Sequence, residues 1–195
     1  MLFRSMVDTL KNVIQSCITT NINVSDLSTF DIEYIFTQIR GKSVGEDVEL
    51  VFKCGNCKDP KAKVKITFDI TKIEVDFPKN HSKKIQLFND VGVVMKYPSI
   101  DAIKEIDTKT NDIDKIFSIV ASCIDYIYDN ETVYHSGDIS KHDMDEFLNK
   151  LTSEQFVKLE QFFDTLPKMR KEVEYDCPVC GFHNHVTLEG MTSFF

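Results

Sequence analysis

The chain has 195 residues, 42% of them hydrophobic and 28% charged, with a net charge of −8 and no tryptophan. That suffices for one substantial core, or a core with a small satellite; seven Gly and five Pro leave little room for long disordered tracts, and no repeats or low-complexity segments are present. No run of about 20 apolar residues is present to span a membrane, and the acidic balance (pI about 5.1) opposes binding to a phosphate backbone unless basic residues cluster.

The densest basic stretch, KDPKAKVK with Lys58, Lys61, Lys63 and Lys65, alternates along an expected strand. It reads as a solvated sheet face. The first 19 residues suit an amphipathic helix, with Met6, Leu10, Val13, Ile14 and Cys17 at helical spacing. Polar residues interrupt this stripe and no small-residue cleavage site follows, so the chain is expected to be soluble and to stay where it is made. Ser28 is positioned to cap a second helix carrying Ile32, Ile35, Phe36 and Ile39, which is expected to end near Gly41.

The period then changes to two. Val48, Leu50 and Phe52 lead into CGNC, and Val64, Ile66, Phe68 and Ile70 lead out, a hairpin with cysteines at its tip. KKIQLF and GVVMKY predict two further strands with a turn at Asn89, Asp90 and Gly92. A short helix is expected from Pro98-Ser99 to about Asp107. A stronger one follows, capped by Asn111, with Asp112 and Asp114 at its positive end and Ile113, Ile116, Phe117, Val120, Ile124 and Ile127 as its stripe. YDNETVYHSGD reads as a turn or short hairpin.

Ser140 caps a helix with Met144, Phe147, Leu148 and Leu151. Thr152 caps the next, where Gln155 closes a capping box and Leu151 and Phe156 can form a hydrophobic staple. Its buried stripe is Phe156, Leu159, Phe163 and Leu166, and Pro167 stops it. Val173 and Tyr175 then lead into CPVC, and Val186 and Leu188 lead out, giving a second cysteine-tipped hairpin.

Two cysteines separated by two residues in a tight turn point both sulfurs at one centre. Two such turns supply four thiolates, a set that suits one structural, tetrahedral Zn2+ per chain held by Cys54, Cys57, Cys177 and Cys180. Residues 58–176 lie between the turns, so the hairpins must meet in space while the intervening helices loop out. The fold class expected is α+β: two cysteine-tipped β-hairpins forming a zinc-ribbon-like sheet, N-terminal helices over 1–45, a β region over 46–97 and 170–190, and a helical insertion over 98–169.

Other uses of the cysteines stay open. A redox dithiol places its first cysteine at a helix N-terminus, whereas strand patterns follow both pairs here. Disulfides need an oxidising compartment, and four reduced thiols packed without metal are a further possibility. Cys17 and Cys123 fall on apolar stripes and are expected to be buried. His183 and His185 read as surface residues, and His81, His135 and His142 stand alone in polar segments. Four closed thiolates leave no open coordination position, no glycine-rich phosphate loop is present, and no Ser-His-Asp pattern is visible. Nothing makes a positive case for an enzyme or for a small-molecule substrate.

The string FDIEYIFTQIRGKSVGEDVELVFKC, residues 30–54, with FDITKIEV at 68–75, VGVVMKYPS at 91–99 and VTLEGMTSFF at 186–195, resembles the baseplate-hub assembly protein family of T-even-type contractile-tailed phages. The resemblance covers most of the chain from about residue 28. It implies a non-enzymatic role in building the central hub of the tail baseplate. Other hub or tail proteins would be the partners, at the virion tail or in the host cytoplasm during assembly. Apolar anchors for such partners are Leu10, Val13 and Ile14 on the N-terminal stripe and Phe194 and Phe195 at the terminus. The terminal pair has the alternative of docking into its own core. A second class, a zinc-ribbon nucleic-acid or transcription adaptor, has the charge of −8 against it.

Overall fold

The computed structural model describes residues 2–104 and 112–195. The expected Asn111 cap and the helix end near Asp107 lie outside these residues, as do the side chains of Met6, Asp112 and Ile113.

The chain forms two compact units. One, the cysteine unit, comprises Thr9–Val24, Phe30–Asp76 and Pro167–Phe195. The other, the sheet unit, comprises Met1–Asp8, Ser25–Thr29 and Phe77–Leu166. Helix α1 spans Leu2–Cys17 and α2 spans Thr29–Val44.

In the cysteine unit β1 (Asp47–Lys53) and β2 (Lys63–Asp69) form a two-stranded antiparallel sheet, with Phe52 opposite Val64. Along β1 the even positions Val48 and Phe52 are buried and the odd ones exposed, as the period of two requires. β3 (Val75–Asp76), β8 (Lys168–Asp176) and β9 (His183–Glu189) make a second, three-stranded sheet in the order β3-β8-β9. The hairpins thus meet through a shared core rather than a continuous sheet. Val48, Phe52, Ile70, Met169, Val173, Tyr175 and Leu188 are buried together.

Asp76 pairs with Lys168. The chain therefore leaves and re-enters this unit on adjacent strands, which lets Phe77–Leu166 be inserted without opening the core. Gly41 does not end α2 but lies inside it. A Cβ there would come within 2.6 Å of the Thr71 methyl, so close packing selects the glycine, and the backbone turns instead at Gly45 (φ 142°).

In the sheet unit β4 (Lys84–Phe88), β5 (Val91–Met95), β6 (Ile124–Tyr128) and β7 (Val133–His135) form a four-stranded antiparallel sheet in that order. The strands expected at KKIQLF and GVVMKY are present and pair with each other, but β5 then pairs with β6, and neither joins the cysteine hairpins. The helical stripe expected through Ile124 and Ile127 is cut short. Beyond the short α3 (Ile100–Lys104), α4 (Asp112–Cys123) stops at Cys123 and the chain continues as β6. The sequence IDYIY is β-branched and aromatic throughout its apolar positions, and those side chains fit a pleated surface better than a helix. The Lys96 amide donates to the Cys123 carbonyl at 2.7 Å, locking the strand start.

α5 (Lys141–Asn149) and α6 (Ser153–Asp164) complete the unit. The Ser140 hydroxyl accepts from the Asp143 amide, and the Thr152–Gln155 capping box is formed in both directions. Val93, Met95, Val120, Ile124, Leu148, Leu159 and Phe162 are buried in one core. His81 does not stand alone. Its ring stacks with Tyr97 and Phe162 at centroid distances of 5.5 and 5.0 Å, and burial pulls its pKa below the usual histidine range.

Candidate metal centre

Each cysteine pair sits where a strand ends. Cys54 follows β1, and its amide donates to the Ala62 carbonyl at 3.0 Å, closing the first turn. Cys177 follows β8. Its amide donates to the Phe182 carbonyl and the Gly181 amide returns to the Cys177 carbonyl, both at 2.9 Å. Gly181 has φ 68°, the left-handed conformation that closes the turn at no steric cost. Neither pair opens a helix, so the helix-dipole activation of a redox dithiol is missing.

The shared core brings the two turns together. The sulfurs of Cys54, Cys57, Cys177 and Cys180 all lie within 4.8 Å of one another. Across the hairpins Cys54 and Cys180 are 3.8 Å apart, and Cys57 and Cys177 are 3.7 Å apart. A disulfide requires roughly 2.05 Å, so these are separate thiols. A tetrahedron of sulfurs about 2.3 Å from a central ion has edges of roughly 3.8 Å. The two cross-hairpin edges match that value, so the donor set fits a tetrahedral metal ion.

Backbone amides already face the sulfurs. Asn56 and Cys57 N–H groups point at Cys54 Sγ (3.3 and 3.5 Å), and the Val179 N–H points at Cys177 Sγ (3.4 Å). Such donors stabilise negative sulfur. The Cys57 amide, opposed by desolvation and aided by the Asn56 amide, brings the Cys54 thiol down to about 6. The Asp59 amide pulls on Cys57, but desolvation and the neighbouring Cys180, Cys177 and Cys54 sulfurs outweigh it and push that thiol up to about 12. A divalent ion at this centre would be held by all four cysteines as thiolates, its charge offsetting theirs. Lys53, Lys58 and Lys63 border the same depression of about 400 Å³ as Cys54 and Cys57, placing positive charge beside these two cysteines.

Two further residues hold the turns together, and sequence reasoning missed both roles. Tyr175 donates its hydroxyl to the Lys53 carbonyl at 2.7 Å, with its ring 5.5 Å from that of Phe52. Asn184, only 4% exposed, accepts from the Gly55 amide at 2.9 Å and donates to the Phe182 carbonyl at 2.9 Å. The signal available for Asn184 was its inward register on β9, opposite Tyr175.

The remaining expected residues divide. His183 and His185 are exposed, outside the sulfur cluster, and paired with Asp176 (2.8 Å) and Glu172 (3.2 Å). Hydrogen bonding to Asp176 raises the His183 pKa. Cys123 is buried, and burial pushes its thiol up to about 11. Cys17 is exposed, contrary to expectation, because it closes the last turn of α1 on the outward side.

Among the apolar anchors Leu10 and Val13 are half-buried, while Ile14 is fully buried and has no surface to offer a partner. Phe194 is also fully buried, its ring edge-on to Phe68 at 6.2 Å. Phe195 is 51% exposed. It rests edge-on to Phe36 (6.2 Å), with the Arg40 guanidinium 5.4 Å from its ring centroid.

Among the described residues no helix is long and apolar enough to cross a membrane. A family model described as T4 bacteriophage base plate protein matches residues 3–195. No curated protein and no solved structure is a match.

Proposed function

The chain belongs to this family of T4-type phage baseplate proteins, and from that premise we propose that it acts, without catalysis, in building the central hub of the tail baseplate. The match over nearly the whole chain carries the reading. The four-cysteine cluster is read as a structural site for one Zn2+, bound by Cys54, Cys57, Cys177 and Cys180. Four protein ligands leave no position for water or substrate, so the ion would stiffen the scaffold rather than perform chemistry.

The working surface would be apolar and directed at other hub or tail proteins, in the finished tail or in the host cytoplasm during assembly. Of the anchors, Phe195 with the half-buried Leu10 and Val13 remain available; Ile14 and Phe194 act inside the fold. No nucleic-acid role is proposed, since a net charge of −8 opposes binding to a phosphate backbone.

The test is removal of the gene from the phage that carries it, with electron microscopy of the tails. Tagged protein would also be recovered from infected cells and co-purifying proteins identified by mass spectrometry. Arrested or hubless baseplates, and recovery with named hub proteins that drops about tenfold or more for Phe195→Ala, are expected. Normal tails without the gene, or a salt-dependent DNA gel shift in place of hub recovery, would overturn the reading.

A further inference from the structure

Asn184 does more than satisfy itself. It lies on β9 across from Tyr175 and points into the unit. Its Oδ1 accepts from the Gly55 amide of the first cysteine turn, 129 residues earlier in the chain. Its Nδ2 donates to the Phe182 carbonyl of the second turn at 2.9 Å, reaches the Tyr175 carbonyl at 3.4 Å, and stands 3.9 Å from Cys54 Sγ. The amide cannot be turned over. A flip would set N–H against the Gly55 N–H and oxygen against two carbonyls. One buried side chain thus touches both cysteine turns and one sulfur.

We infer that Asn184 is the positioning residue of the metal centre, fixing the register of the two cysteine turns and lending a donor to the Cys54 thiolate. This rests on the metal-centre reading above. An apolar replacement would strand the Gly55 N–H and the Phe182 carbonyl in a buried place. A carboxylate would keep the acceptor for Gly55 but face two carbonyls and a thiolate with negative charge. Outer partners of metal ligands hold geometry, and their loss costs about 10- to 100-fold in metal retention. The shared core and the Tyr175–Lys53 bond bring the two hairpins together, and the Asn184 amide ties their cysteine turns directly to each other.

The test uses the full chain loaded with zinc and compares release to an excess of a chromophoric chelator at 25 °C. Asn184→Asp should release zinc about 10- to 100-fold faster than wild type. Asn184→Ser, shorter and uncharged, should accelerate release to a lesser degree and serves if the carboxylate variant does not fold. Val173→Ala removes an equally inward side chain of β8 that makes no polar contact with the turns. It should lower the melting temperature yet stay within about twofold of wild-type release. In cobalt-loaded protein the sulfur-to-metal charge-transfer band should shift for the Asn184 variants and not for Val173→Ala. Wild-type release from both Asn184 variants, or equal acceleration by Val173→Ala, would overturn the inference while leaving the metal centre intact. No zinc or cobalt uptake by wild type would overturn the metal centre itself, and this inference with it.

Discussion

The two units are closed by different means. The sheet unit lays four strands against α4, α5 and α6 and buries one apolar core between them. The cysteine unit sets a two-stranded sheet and a three-stranded sheet around a smaller core, with α2 packed beside them. A two-stranded sheet is marginal on its own, and here the contact between the sheets is supplemented by polar and sulfur ties at one end. The Tyr175–Lys53 bond, the Asn184 bridge and the four sulfurs all lie where the strands run out. A large apolar core can hold distant segments by area alone. A small one needs directional links, and the cysteine unit has concentrated them in its turns.

If that contrast is right, breaking the sulfur centre should separate the units. Cys177→Ser removes one of four ligands. Structural zinc sites contribute on the order of 10 kcal/mol, so the cysteine unit should lose hydrogen-exchange protection along β8 and β9. The sheet unit should keep protection along β5 and β6. Equal loss in both would show that they fold as one and erase the distinction.

The next largest effects should come from apolar truncation in each unit. Phe194→Ala empties a fully buried site and should cost about 3–5 kcal/mol, whereas Phe195→Ala, half exposed, should cost less than about 1 kcal/mol. Leu159→Ala in α6 should cost about 2–5 kcal/mol without changing the metal content. Thermal melts with metal analysis of each variant decide it. A Leu159 variant that also sheds metal would contradict separate closure.

A smaller effect is expected at the α6 cap. Thr152→Ala removes the side-chain acceptor for the Gln155 amide while leaving the backbone donor of the reciprocal bond, costing about 1 kcal/mol. Chemical denaturation should register it in the sheet unit only.

Much of this was legible in the sequence because the signals are local. The cysteine spacings, the alternation of Val48, Leu50 and Phe52, and the Thr152–Gln155 box each specify geometry within a few residues. What was missed depends on neighbours far away in the chain. Ile124 and Ile127 continue a helical stripe by spacing, yet β5 waits beside them, and their branched side chains take the strand. Gly41 looks like a helix end until Thr71 is set against it. Asn184 looks like one more polar residue in CGFHNH until Gly55 arrives to be bonded. Phe194 and Phe195 are identical in sequence terms, and only the docking of the terminus against Phe68 and Phe36 tells core from surface.

The smallest expected effect sharpens the description of that docked terminus. The Glu33 carboxylate accepts from the Met191 amide at 3.3 Å, and burial raises its pKa above the ordinary value. A carboxyl raised on folding contributes stability that is present below its unfolded pKa and lost as the pH rises through the folded one. Glu33→Gln keeps an acceptor without the charge. Its stability relative to wild type should therefore improve between pH 4 and pH 7, read from urea midpoints at both. A difference that does not change with pH would mean that Glu33 is not penalised by burial.

The most direct measurement is the metal content of the native chain. Protein purified without added metal would be weighed by native mass spectrometry and assayed for zinc, before and after chelation. One zinc per chain is expected, with Cys54, Cys57, Cys177 and Cys180 unreactive toward thiol reagents until the ion is stripped. A fully folded, metal-free chain whose four central thiols titrate freely would contradict the metal-closed cysteine unit.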